Sequence, residues 1–302
     1  MRILVTGRNG QVGYELERSL QTVGEVVALD HSQMDLGDLD AVRETIRAVR
    51  PGLIVNSAAY TAVDQAERET DLAMRINGEA PGVMAEEAHR LGAAIIHYST
   101  DYVFDGTRQG PYDEGDTPCP INVYGHTKLA GERAVQASGA PHLILRTSWV
   151  YGARGRNFLL TVQKLARERD ELRIVADQCG APTWCRMIAD ATAHAAAQLV
   201  RQGDGASISK HEICRDVWQE WGGIYHLTAQ GQTTWHGFAQ AIVAALHEAG
   251  KLDAVPAVTP IATRDYPSPA ARPPNSVLSC DRWMRRFCRL PEWDNALRLC
   301  LD

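Results

Sequence analysis

Three glycines spaced Gly7-x-x-Gly10-x-x-Gly13 follow the apolar run Arg2–Thr6 and open an amphipathic stretch that continues to about Leu20. Glycine triplets are common in loops. This one lies between a strand pattern and a helix pattern, and that context restricts what the chain can fold into. Residues without Cβ permit a tight strand-to-helix turn and let backbone N–H groups approach an anion at the positive end of the helix. The pattern predicts a βα turn that holds the pyrophosphate of a dinucleotide.

The rest of the first half repeats the same alternation. Further buried-strand runs stand at Glu25–Leu29, 53–59, 93–98 and 143–146, with helical periodicity at 38–50, 70–90 and 122–137. Five such βα units predict an α/β fold with a doubly wound parallel sheet of Rossmann type. Residues 1–150 are read as the nucleotide-binding domain, and 151–302 as mainly a smaller α/β substrate-binding domain with some segments returning to the sheet. In that second half, helices are expected at 157–168, 187–200 and 234–248, with a strand-like piece at 224–228. Residues 255–275 carry six prolines and read as an ordered loop, and polar 202–221 reads as a surface insertion.

Composition excludes several classes. A net charge of −6 and a pI near 5.9 give no field to draw nucleic acid or an anionic membrane. No apolar run reaches the roughly 18 residues of a membrane span, and the start leads directly into a strand, so a cytoplasmic protein is expected. Seven cysteines without a C-x-x-C pair argue against a disulfide framework and a zinc ribbon, and ten histidines show no ligand spacing. No metal ligands are predicted from these residues, and Trp184, Trp218, Trp221 and Trp235 read as packing.

Other residues extend the cofactor reading. Asp30 ends the second strand, 20 residues after Gly10, where a carboxylate accepts from an adenine-ribose 2′-OH and repels a 2′-phosphate. That favours NADH, while Arg8 in the glycine loop offers a counter-charge for NADPH, so both cofactors stay open. Ser99-Thr100 end the fourth strand, and Tyr124 and Lys128 stand four apart on one helix face. Only four lysines occur in the chain, so with nine tyrosines about 0.1 such pair is expected by chance. A phenol of pKa about 10 is a poor acid–base group, and an adjacent ammonium is expected to lower that value. Thr100 would donate to the same substrate oxygen.

Through Gly7–Gly13, Thr100 and Tyr124-x-x-x-Lys128 the sequence resembles the extended short-chain dehydrogenase/reductase family. More narrowly it is similar to the dTDP-4-dehydrorhamnose reductases, along GRNGQVGYEL, AAYTAVDQAE, HYSTDYVFDG, NVYGHTKLAGE, LRTSWVYG, DQCGAPT and YPSPAARPPNS. The resemblance implies reduction of a dTDP-4-keto-6-deoxy sugar by NADPH or NADH. By the same resemblance Gly10, Gln11 and Val12 wrap the pyrophosphate, and Asp30, Asp35 and Leu36 hold the adenosine half. Ala59, Tyr60 and Thr61 line the cofactor, and Lys128 reaches the nicotinamide ribose. Thr100 and Asp101 contact the sugar and Trp149 forms part of the nucleotide-sugar site. Arg272 is the candidate for the substrate diphosphate, because a guanidinium matches phosphate oxygens in pairs.

A magnesium-linked homodimer built from carboxylates is also implied. Glu15 matches one ligand and Asp294 could replace another, but Arg186 stands where a carboxylate is expected, and arginine does not ligate Mg²⁺. Mg²⁺ and the dimer therefore stay open. Among rival readings, a dehydratase needs a glutamate after Thr100-Asp101, where Tyr102 stands instead. A nucleotide-sugar epimerase, and a regulatory subunit with the same fold, remain as alternatives.

Overall fold

In the computed structural model, which describes residues 1–203 and 215–302, the apolar runs become strands covered on both faces. β1 (Arg2–Thr6), β2 (Glu25–Leu29), β3 (Leu53–Asn56), β4 (Ala94–Thr100), β5 (His142–Thr147) and β6 (Gly223–His226) form one parallel sheet, ordered β6-β5-β4-β3-β1-β2. Alternate residues feed separate cores: Ile3, Val5, Val55 and Ile96 face one cluster, and Leu4, Ile54 and Ile95 face the other. A sheet buried on both sides requires such near-continuous apolar strands.

α1 (Gln11–Ser19) lies against α6 (Cys185–Gly203) on one face. α2 (Leu39–Val49), α3 (Ala80–Leu91) and α4 (Val123–Ala137) pack in succession on the other. Asp38 starts α2 by accepting the N–H groups of Asp40 and Ala41. The chain runs from β1 outward to β2, then crosses back to β3 on the other side of β1. The loops leaving β1 and β3 therefore diverge at their carboxyl ends and open a crevice, where ligands of such sheets bind.

The single helix expected over 70–90 is divided into Thr70–Met74, a π-helical turn Arg75–Glu79, and α3. The wider turn carries Asn77, whose side chain accepts from the Tyr60 N–H at 2.8 Å and donates to the Tyr60 carbonyl at 3.0 Å. The loop after β3 is thereby fixed, a role that apolar periodicity does not report.

α5 (Phe158–Glu168), α7 (Trp235–Glu248) and α8 (Trp293–Leu301) surround a smaller core of Tyr151, Leu159, Val162, Phe238, Ile242 and Leu297. Beside it, Glu171–Val175 pairs with Ala257–Ile261, so the proline-rich stretch begins as a strand rather than a loop. In a two-stranded pair the imide of Pro260 faces outward, where no ladder donor is required.

The surface insertion expected at 202–221 needs correction at its far end, while residues 204–214 lie outside the described residues. Helix Arg215–Trp221 carries Trp218, which is 1% exposed and belongs to the main core, and the chain then enters β6 at the sheet edge. No described helix is long and apolar enough to cross a membrane. Trp218→Ala is expected to lower the unfolding free energy by about 3–5 kcal/mol in urea titration, and a loss below about 1 kcal/mol would return this helix to the surface.

Candidate active site

The glycines act by close approach. Gly7 has φ of +73°, and a Cβ there would stand 3.0 Å from Ala58 Cα; a Cβ on Gly13 would enter the Gly7 carbonyl. The Gly10 N–H donates to that carbonyl at 2.9 Å. Gly10 also begins α1 without a side-chain cap, so the first-turn N–H groups stay open toward the crevice. Thr6 Oγ1 donates to Asn56 Oδ1 at 2.7 Å and Ser57 Oγ to the Thr6 carbonyl at 2.6 Å, which locks the two loops together.

A cavity of about 550 Å³ runs along this edge, lined by Gly7, Gly10, Gln11, Val12, Asp30, Ala59, Thr61, Tyr124 and Lys128 among others. The cradle fits a pyrophosphate: side chains at Gly7 or Gly13 would push the tight turn apart, and the uncapped N-terminus of α1 opens beside Gly7 and Gly10 on the cavity wall. Asp30 accepts from the Ser32 hydroxyl at 2.6 Å, its N–H at 2.9 Å and Asn9 Nδ2 at 3.1 Å. Ser32 first, then Asn9, holds this carboxyl below its ordinary range. Gly13 supports the cradle from behind. Asp35, Leu36 and Tyr60 do not line the cavity: Asp35 accepts from Gly37 at 2.8 Å, Leu36 is buried in the core, and the Tyr60 phenol donates to Glu69 at 2.7 Å. Arg8 turns to Glu17 at 2.8 Å rather than inward.

Asn122 starts α4 by accepting the Gly125 N–H at 2.8 Å. The helix then stacks Tyr124, Lys128 and Glu132 one turn apart on one face. Lys128, 2% exposed, donates from Nζ to the Tyr98 carbonyl at 2.6 Å. Burial pulls its ammonium down to about 8 against the opposing charge of Glu132. Tyr124 departs from the sequence expectation. Burial, then the Asp101 charge, push its phenol up to about 12, with only the Thr100 hydroxyl pulling down. Desolvation of a phenolate outweighs the nearby ammonium, which is engaged with a carbonyl.

A second cavity of about 300 Å³ adjoins the first and shares Gln11, Thr61, Ser99, Tyr124, Thr147, Val150 and Arg156 with it. It adds Thr100, Asp101, Ser148, Trp149 and Trp235. Thr100 Oγ1 donates to Asp101 Oδ1 at 2.9 Å, and Asp101 Oδ2 has no partner among the described residues. Burial raises this carboxyl to about 7. Trp149 has φ of +46°, a strained backbone for a bulky residue, and its indole lies 3.6 Å from that of Trp235 at 5° between planes. A further depression of about 560 Å³ between Arg108, Glu114 and Arg285 shares no lining residue with either cavity.

Behind the site, Arg146 on β5 grips Glu132 through two hydrogen bonds of 2.9 and 2.7 Å, and Ser99 on β4 donates to Glu132 Oε1 at 2.5 Å. Arg146 and Glu132 are each 1% exposed. Arg272 is not brought to either cavity. Its guanidinium pairs with Asp64 at 3.1 and 2.8 Å and reaches Ser268 Oγ at 2.6 Å. Arg186 stands 3.9 Å from Asp190, and within the described residues of this one chain no group of three His, Cys, Asp or Glu could hold a metal ion. Sequence reasoning missed Arg156, Thr147, Ser148 and the lining role of Trp235. Position at strand carboxyl ends would have found Thr147 and Ser148; nothing local marks the other two.

The family model described as RmlD substrate binding domain matches residues 1–302. The dTDP-4-dehydrorhamnose reductase of Burkholderia thailandensis is 50% identical over 305 residues, covering 100% of this chain and 98% of that protein. The crystal structure of a dTDP-4-dehydrorhamnose reductase from Clostridium acetobutylicum superposes with a TM-score of 0.85 at 35% identity, covering 100% of this chain and 99% of that one. That of the Bacillus anthracis dTDP-4-dehydrorhamnose reductase in complex with NADP gives 0.84 at 32% identity, covering 99% and 98%.

Glu132→Ala would leave Arg146 buried without its counter-charge. A loss of about 3–5 kcal/mol in chemical denaturation is expected, against nearly none if the pair were solvated.

Proposed function

The chain belongs to the RmlD substrate binding domain family of dTDP-4-dehydrorhamnose reductases, and on that premise we propose that it reduces the 4-keto group of dTDP-4-dehydro-6-deoxy-L-mannose, giving dTDP-L-rhamnose. It is an NAD(P)H-dependent oxidoreductase with a Rossmann-like fold. The observation that carries the finer reading is the meeting of two cavities, one glycine-cradled and one polar, at the hydroxyl-bearing Tyr124.

Residues 1–150, with α6 and β6, serve as the cofactor half, and most of the remainder as the sugar half. Gly7, Gly10, Gln11 and Val12 hold the pyrophosphate, with Gly13 backing the turn. Asp30 takes the adenine ribose, Ala59 and Thr61 line the path, and Lys128 takes the nicotinamide ribose. The NADP bound by the Bacillus anthracis relative supports NADPH, while the Asp30 carboxylate at the ribose end supports NADH as well. A nicotinamide cofactor held by these residues would supply the hydride for the ketone carbon.

Tyr124, neutral because its phenol sits near 12, gives its proton to the oxygen that becomes negative. The Thr100 hydroxyl, which rests on Asp101 Oδ1 in the structure, turns to donate to the same oxygen, and the buried Lys128 charge stabilises it where little water screens it. Trp149, Asp101 and the wall of Trp235 bound the sugar side.

The test generates the keto sugar from dTDP-glucose in situ and follows loss of NADPH and of NADH in separate runs. Oxidation that requires both chain and keto sugar, with dTDP-L-rhamnose as product, is expected. A folded, NADPH-binding chain without it would move the reading to a regulatory subunit. Tyr124→Phe should lower turnover about 10²–10⁴-fold while NADPH binding persists, and full turnover would remove Tyr124 as the proton donor. Because the Lys128 ammonium loses its proton near 8, turnover should fall as pH rises through that value, and a flat alkaline limb would contradict this.

A further inference from the structure

We propose that Arg156 is the residue that takes a diphosphate at the junction of the two cavities, an assignment that rests on the functional reading above. A nucleotide-sugar and a dinucleotide each bring a diphosphate, and both need a counter-charge in a site partly withdrawn from water. Arg272 does not supply it, being held by Asp64, Ser268 and the Ala270 carbonyl outside both cavities. Lys128 lines only the cofactor cavity, where it is buried against the Tyr98 carbonyl and assigned to the ribose end. Arg156 lines both cavities, is the one Arg or Lys among the lining residues of the smaller, and forms no ion pair among the described residues.

The backbone that presents it is anchored on both sides. Asn157 Nδ2 donates to Gln11 Oε1 at 2.7 Å and to the Gly152 and Arg154 carbonyls at 2.8 and 3.1 Å. Asn157 Oδ1 accepts the Leu160 N–H at 3.0 Å, which starts α5. On the other side, the Arg154 guanidinium covers the Tyr14 ring of α1 at 3.9 Å, and Gly155 turns the chain with φ of +75°. Residues 152–157 thus strap the sugar half to the glycine loop, and the one long cation on the strap that remains uncommitted is directed to the mouth. The shared chemistry is a diphosphate, and its source is decided by measurement.

Dissociation constants of NADPH, of dTDP and of thymidine are measured by titration of the wild-type chain, Arg156→Ala and Arg156→Lys. Arg156→Ala is expected to weaken a diphosphate ligand roughly tenfold and leave thymidine unchanged. Arg156→Lys should recover only part, because a point charge lacks the paired donors of a guanidinium. Loss confined to dTDP assigns the substrate diphosphate, loss confined to NADPH assigns the cofactor, and loss of both assigns a shared cation. Constants for both within about twofold of wild type, or an equal loss for thymidine, would overturn the assignment. A wild-type chain that reduces the keto sugar while Arg156→Ala binds normally would sink this inference alone; a wild-type chain binding neither nucleotide would sink the functional reading with it.

Discussion

The buried pair of Arg146 and Glu132 is the contact on which the proposed reaction centre depends. Each of the elements it joins carries a different part: β5 leads to Thr147, Ser148 and Trp149, α4 bears Tyr124 and Lys128, and β4 ends in Ser99 and Thr100. Taking both charges out of water is costly, and a well-packed apolar pair would serve stability as well. What an apolar pair would not supply is direction. Two parallel hydrogen bonds from a guanidinium fix the rotation of α4 about its axis, and the Ser99 hydroxyl fixes its height over β4. The same carboxylate stands one turn from Lys128 and keeps that ammonium from losing more of its charge to burial.

The local half of this arrangement was legible from residues alone. Strand runs, the glycine turn and the four-residue spacing of Tyr124 and Lys128 all report chain neighbours, and a neighbour's direction follows from helix or strand geometry. The π turn at Arg75–Glu79 was not legible, because its purpose is to aim Asn77 at a loop reached only in three dimensions. Trp235 and Arg156 were missed for the same reason. Trp235 comes to the cavity wall from an element distant in the chain, and Arg156 comes from the loop just after the LRTSWVYG block, where nothing in the spacing says which side chain faces the cavity. Arg272 shows the opposite failure. Its guanidinium suits a phosphate, but Asp64, far away in sequence and adjacent in space, already occupies it.

The phenol of Tyr124 separates what spacing reveals from what burial decides. Spacing identifies a cation beside it and predicts an easier deprotonation. The structure withdraws the ring from water, adds the Asp101 carboxyl nearby, and turns the ammonium toward a carbonyl, so the shift reverses. A proton abstractor would be weakened by that reversal. A proton donor is weakened as an acid as well, but it is present in its proton-bearing form at neutral pH, and the proposed acceptor oxygen becomes strongly basic only as hydride arrives.

The shift therefore fixes the form of Tyr124 present at neutral pH, the neutral phenol, rather than a direction of reaction. Proton transfer from it leaves the same phenolate that the reverse step would start from, so the cost of forming that phenolate enters both directions. A neighbouring positive charge offsets that cost, and Lys128 still carries it below about 8. Asp101, raised to about 7, holds its proton below that value, which there limits repulsion of a developing alkoxide beside Thr100. Three groups with displaced affinities thus share the site: a neutral phenol, a charged ammonium, and a carboxyl that is protonated below about 7. That set suits an electron-rich oxygen being made, and it follows from the burial of Lys128 and Asp101 and the desolvation of the Tyr124 phenol beside them.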